Sequence, residues 1–276
     1  MRHRSFELFP HAASLKGGTR LRLCPLGAGT TAFSLVELLV VVAILGVLAA
    51  MILPALSASR HAAHRAQCGS QLRQLGVATQ QYWEDNEGFC FRYKLGLTNQ
   101  GDQYWFGWIE RGAEGSREVD HRQGVLFPYL TGRGVEICPS LSYRSPQFKL
   151  KGKGATHGYG YNLELSAKPR RPLISVASIP RPAATALFAD AAQINDFQAP
   201  ASPEQPMLEE FYYVSPSEPT AHFRHSGRSQ VLMCDGQVES EKAVAGSWDL
   251  RLPRERVGRL PREILVLRPW PVVAAP

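Results

Sequence analysis

The sequence has no Cys-x-x-Cys pair. Its five cysteines, Cys24, Cys68, Cys90, Cys138 and Cys234, stand far apart, so neither a thiol redox motif nor zinc-ribbon spacing is present. It also lacks Gly-x-Ser-x-Gly, a phosphate-binding glycine loop and His-Glu-x-x-His, and no nucleophile, base and orienting group suggest themselves, so an enzyme is not expected. Glu209 and Glu210 read as ordinary surface charge. There is no internal repeat and no Lys/Arg stripe with interleaved aromatics of the kind that tracks a phosphate backbone, which sets nucleic acid aside. The net charge of +7 does not contradict this: Arg2, Arg4, Lys16, Arg20 and Arg22 face only Glu7 in the first 32 residues, so most of the excess lies there.

What the chain does have is one long apolar run. From Leu38 to Leu53 every residue is apolar or glycine, and with Phe33–Glu37 and Pro54–Leu56 the span is long enough for the ~20 residues that cross a bilayer. A secretory signal cut after Ser57–Ser59 would also have a basic start and an apolar centre. Its centre, however, is normally only ~7–15 residues long, and neither Glu37 nor Pro54 serves it. Lys16, Arg20 and Arg22 before the span balance Arg60, Arg65 and Arg73 after it, so charge alone leaves the orientation open. Glu37 is the anomaly, because a carboxylate at the centre of a spanning helix costs roughly 2.5–3.5 kcal/mol.

The stretch "AFSLVELL", Ala32–Leu39, closely resembles the processing site of type IV pilins and type II secretion pseudopilins. In that family a small residue, normally glycine, precedes Phe-Ser/Thr-Leu-x-Glu and a long apolar helix. Ala32 stands where glycine is usual and adds only a methyl group, so slower cutting is expected. The resemblance implies that a prepilin peptidase cuts between Ala32 and Phe33 and methylates the new amine. It further implies that Glu37, one turn along, meets the Phe33 ammonium of a neighbouring subunit, and that Pro54 kinks the helix. The implied partners are the peptidase, other pilin or pseudopilin subunits, the secretion or pilus assembly platform and membrane lipid. The implied location is a bacterial inner membrane, single-pass, with the head outside the cytoplasm. Cofactors are not implied.

Beyond Pro54, Ala58, Ala62, Ala66 and Gly69 form a side of small residues. Cys68, Leu72, Leu75, Thr79 and Tyr82 form a stripe able to seat a globular domain. Gly88 is the expected stop. A helix from Phe33 to Tyr82 would be ~75 Å long. His61 and His64 share a helical face but lack a third ligand, and they read as a solvated surface.

All but two of the 20 prolines follow Leu53, and the texture beyond Trp83 is β-rich. Strands are expected at Tyr104–Ile109, Tyr159–Leu163, Ala184–Ala189, Phe211–Val214, Gln230–Cys234, Gln237–Ser240 and Ile264–Leu267. The phrases "CGSQLRQLGVATQQYWEDNEG", "ICPSL", "GYGYN", "IPRPAATALFAD" and "RHSGRSQVLMCDGQVE" are similar, in this order, to the head of a prepilin-like group. Its signature is a His, nine residues, then Asp-Gly: here His225, Asp235 and Gly236. Asp-Gly is a strong hairpin signal. A three-strand meander is expected, with His225 and Asp235 ~17 Å apart at opposite ends of one strand, too far to share a metal. Whether His225 acts alone or with Asp190 or Arg224 stays open. The cysteines beyond the span allow two disulfides in three connectivities. The resemblance favours Cys68–Cys138.

The sequence thus predicts an α+β, pilin-like protein: a leader (1–32), a transmembrane helix (33–56), a stalk helix (57–87) packed on a β-rich globular head (88–240), and a tail (241–276). The function implied is a structural pilin-like subunit. The competing expectations are a single-span anchored binding module that captures a glycan or calcium without a filament, and a soluble exported head.

Overall fold

The computed structural model describes residues 34–97, 100–154, 156–169 and 171–267. Cys24, Ala32 and Phe33 lie outside them. One long helix, α1 (Leu35–Asp85), precedes several antiparallel and mixed sheets, an α+β architecture. The chain divides into two compact units, Met1–Met51 and Ile52–Pro276.

Helix α1 begins with a capping box. The Ser34 hydroxyl accepts from the Val36 N–H at 3.3 Å, and the Glu37 carboxylate accepts from the Ser34 N–H at 2.9 Å. Donors otherwise orphaned at a helix start are thereby paired. The large apolar side chains from Leu35 to Leu53 are all 45% to 77% exposed, and the helix is long and apolar enough to cross a membrane.

Within the second unit α1 changes character. Ala58, Ala62 and Ala66 remain exposed, while Cys68, Gly69, Leu72, Leu75, Gly76, Thr79 and Trp83 are buried. Cys68, Leu72, Leu75 and Thr79 of the expected seating stripe are thus buried, with Trp83 added and Tyr82 only half-buried, while Gly69, expected on the small-residue side, is buried with the stripe. The helix stops where Gly88 N–H donates to the Trp83 carbonyl at 2.7 Å.

The stripe packs on a five-stranded sheet: β1 (Tyr159–Asn162), β2 (Ala186–Asp190), β3 (Tyr213–Val214), β4 (Arg228–Met233) and β5 (Val238–Lys242), in spatial order β3-β1-β2-β4-β5. Only the β3–β1 pair is parallel. Strand alternation divides the side chains between two faces. Tyr159, Tyr161, Phe188 and Leu232 join Leu72, Leu75, Trp105 and Phe106 in the main core, whereas Val231 and Met233 point into a second cluster with Phe223, Leu260 and Leu265.

Gly160, at the centre of "GYGYN", sits where a Cβ would come within 2.7 Å of Ala191 Cβ and of the Tyr213 backbone. Gly160→Ala therefore forces β3 away from β1, and we expect a loss of about 1–3 kcal/mol by thermal denaturation of the full chain in detergent. An unchanged melting temperature would refute this packing.

Several expected strands are corrected. Tyr104–Ile109 is not one strand: Gly101–Tyr104 and Gly107–Glu110 pair antiparallel about the corner Trp105-Phe106, and burial of both rings makes the corner look like strand in sequence. The segment expected as a strand at Ile264–Leu267 holds a short helix, Arg262–Leu265. From the tail, Val257, Leu260 and Leu265 are buried in clusters shared with head residues.

The hairpin β4–β5 forms as expected, through a turn of three residues, Cys234–Gly236. Gly236 N–H donates to the Met233 carbonyl at 3.0 Å and Met233 N–H to the Gln237 carbonyl at 2.8 Å. Only Gly236, at φ 94°, takes the left-handed conformation, the arrangement of a type I turn closed by a glycine bulge. No three-strand meander follows, since Ala221–His222, just before His225, pairs with Val257–Gly258 in a separate sheet.

Glu209 and Glu210 are not surface charges, for both are fully buried. Strand Met207–Glu209 pairs in parallel with Phe148–Lys149, setting Glu209 opposite Lys149. Glu209 contacts Lys151, lies 3.5 Å from Lys149, and accepts from Gln193 at 3.0 Å and Asn195 at 2.6 Å. Glu114 pairs with Lys149 and, at 2.6 Å, with Arg117.

Burial raises the Glu210 carboxyl to about 7 from its ordinary 4.5, partly offset by hydrogen bonds from Thr156. A carboxyl shifted upward contributes fully below its unfolded value, and that contribution is lost as pH rises through the folded one. Replacing Glu210 with glutamine should therefore stabilise the protein by up to about 3 kcal/mol above pH ~7, a difference that fades by pH ~4.5. Chemical denaturation of both proteins across this window checks it.

Candidate functional site

His225 and Asp235 lie at opposite ends of β4, and Asp235 is exposed in the hairpin turn, so the two halves of the signature do not meet. Gly236 shapes that turn. His225 opens a tight turn in which it exchanges both backbone hydrogen bonds with Arg228, at 3.0 and 3.1 Å. Positive φ at Ser226 (55°) and Gly227 (80°) closes it. The turn returns the chain so that the imidazole is buried against the end of β2.

There it meets residues from three other segments. His225 Nε2 lies 3.3 Å from Asp190 Oδ2 and 3.4 Å from Cys138 Sγ. Cys68 Sγ, on α1, lies 3.3 Å from Asp190 Oδ1. One ligating atom from each of the four residues falls within 4.8 Å of all the others. Cys68, Cys138 and Asp190 are fully buried and His225 is 4% exposed. Cys68 and Cys138 are free thiols, so the disulfide that the resemblance favoured between them is not formed, although both sulfurs belong to this one cluster. Cys90 and Cys234 are buried elsewhere in the main core.

Around the four sits a shell of hydrogen bonds. Tyr159 donates its hydroxyl to Gln71 at 2.6 Å and lies 3.3 Å from Cys68 Sγ. The Gln230 N–H donates to Asp190 Oδ2 at 2.8 Å. Arg224 Nε lies 3.4 Å from Asp190 Oδ1, and its Nη2 donates to the Gly158 and Ala191 carbonyls at 2.7 and 3.0 Å.

These contacts set the ionisation states. Burial would raise Asp190, but the Arg224 charge and the His225 hydrogen bond hold it below the usual carboxylate range. Burial would lower His225, but its hydrogen bonds to Asp190 and Cys138 bring it up to about 9. A hydrogen bond from Cys68 holds the Cys138 thiol at about 5 against burial. Burial, reinforced by that same bond, pushes Cys68 upward.

No protein-family model, curated protein or solved structure matches this chain. The observations themselves support the coarser reading: among the described residues, one helix long and apolar enough to anchor in a membrane, followed by a β-rich part, compatible with a pilin-like protein.

Asp190 and Arg224, which the sequence left open as partners of His225, do come together with it, Asp190 touching both; what spacing alone missed is that Asp190 also meets Cys68 and that Tyr159 joins them. The one available signal was an acid ending the buried run "TALFAD". His61, expected on a solvated surface, is exposed and lines with Arg65 a cleft of about 580 Å³ that reaches Arg224, His225 and Ser226. His64 is half-buried. Glu37 lies at the helix start, and Pro54 lies inside α1.

Proposed function

We propose that the protein is a pilin-like structural subunit, cut after Ala32, methylated at Phe33, and assembled through its apolar helix in a type II secretion or type IV pilus-like system. The observation that carries this reading is the exposed apolar surface of α1 from Leu35 to Leu53, which water cannot stabilise and which lipid or neighbouring helices can. The capping box refines the role of Glu37. Ser34 N–H engages Oε2, and the other carboxylate oxygen remains available to a neighbour's ammonium, an attraction far stronger in hydrocarbon than in water.

Mass spectrometry of the mature N-terminus tests the processing. N-methylated phenylalanine at Phe33 is expected, and a retained leader or a terminus near Arg60 would overturn the proposal. Charge and cap are separable. Glu37→Gln keeps a side chain suited to the capping box but removes the charge, so it should abolish subunit crosslinking through the helix. Ser34→Ala should weaken the cap while leaving crosslinking intact. Normal crosslinking in Glu37→Gln would show that the carboxylate does not drive assembly, and a parent chain that forms no crosslinks through the helix would favour an anchored binding module instead.

A further inference from the structure

We propose that Cys68, Cys138, Asp190 and His225 form a structural zinc site that clasps α1 to the β-rich part of the chain. Three observations converge on it. The first is distance. Tetrahedral zinc, with bonds of ~2.0 Å to nitrogen or oxygen and ~2.3 Å to sulfur, holds its ligand atoms about 3.3–3.8 Å apart. The separations here are 3.3 Å from Cys68 Sγ to Asp190 Oδ1, 3.3 Å from His225 Nε2 to Asp190 Oδ2 and 3.4 Å from Cys138 Sγ to His225 Nε2, and the four ligand atoms all lie within 4.8 Å of one another, so the side chains close slightly around the ion.

The second is valence. His225 Nε2 faces both Asp190 Oδ2 and Cys138 Sγ, and in the neutral ring it can offer its lone pair to an ion lying between them. A metal ion at the centre uses that lone pair, both sulfurs and a carboxylate oxygen at once.

The third is charge. Two thiolates and a carboxylate around a divalent ion sum to one negative charge, and the buried Arg224 guanidinium, 3.4 Å from Asp190, neutralises it. Binding forms two zinc–sulfur bonds, one zinc–nitrogen bond and one zinc–oxygen bond. The thiol protons and any proton on His225 Nε2 leave to solvent.

The surroundings fit this use. Tyr159 at the Cys68 sulfur, and the Gln230 N–H and Arg224 on Asp190, orient the ligands from outside, as outer partners of metal sites do. A cleft lined by His61, Arg65 and Arg224 reaches His225, the one ligand of the four on its wall. Thiolate with imidazole favours zinc over magnesium or calcium, and four protein ligands leave no open coordination position, as in structural sites. The site also accounts for the order of the phrases. "CGSQL", "ICPSL", "TALFAD" and "RHSG" each supply one ligand, and "GYGYN" supplies Tyr159.

The test uses the full chain, purified untagged in detergent without chelator. Elemental analysis should find about one zinc per chain. Cys68→Ser and His225→Ala should each reduce zinc at least tenfold, while His225→Cys, which keeps a ligand, and Cys90→Ser, outside the site, should retain it. After exchange with cobalt, a thiolate-to-metal charge-transfer band should appear and be lost in Cys138→Ser. Two results would overturn the proposal: a Cys68–Cys138 disulfide-linked peptide with intact protein lighter by two hydrogens, or metal-free folded protein whose cysteines are all alkylated on unfolding. Neither bears on Phe33 processing, so this site and the pilin-like reading fail independently.

Discussion

Replacing Glu209 with alanine should destabilise the full chain in detergent by about 3–5 kcal/mol, the usual consequence of stripping a buried charge of its partner. Glu209 is fully buried and stands between Lys149 and Lys151, with Gln193 and Asn195 completing its hydrogen bonds. Burial would raise its carboxyl, but the charges of Lys151 and Lys149 hold it down. Its contribution is therefore present above the unfolded value near 4.5 and lost as pH falls through the folded one. Among the described residues, the alanine variant leaves Lys149 in an ion pair with Glu114 and Lys151 with no carboxylate in direct contact. Lys151→Met in the same chain should recover part of the loss, because it removes the stranded cation and keeps a long side chain beside Tyr212. A denaturant midpoint unchanged in Glu209→Ala, or a double variant worse than the sum of the singles, would show that the network does not operate as a unit.

Asp190→Ala should have an effect of the same size for a different reason. Asp190 is the only acid contacting the buried Arg224 among the described residues, and it also accepts from the Gln230 backbone. Its removal leaves a buried guanidinium uncompensated and an N–H unpaired, about 3–5 kcal/mol together. Arg224→Met should rescue much of this in the double variant, although the Gly158 and Ala191 carbonyls then lose their donor. Thermal denaturation of the two single variants and the double variant gives the coupling directly. If Asp190→Ala melts with the parent chain, the pair is not a buried ionic contact.

The α+β class, the apolar span and the seating stripe of α1 were legible in the sequence, because each depends on local periodicity. Leu72, Leu75 and Thr79 recur at helical spacing, and the run from Leu38 to Leu53 needs no partner to be recognised. The Asp235-Gly236 hairpin was legible for the same reason, since turn geometry is set within a few residues, though its loop length was not. The corner at Trp105-Phe106 and the short helix at Arg262–Leu265 were misread because their side chains are chosen by a core that local pattern cannot see.

The chemistry of the interior belongs to the tertiary structure. Cys68 and Asp190 are separated by 122 residues, and Lys151 and Glu209 by 58, so no spacing rule connects them. The pairings arise because α1 lies across β1 and β2, and because the parallel register sets Lys149 against Glu209. Sequence fixes what each segment can form by itself. Which charges and sulfurs meet is decided when those segments pack, since only then does burial make an unpaired group costly.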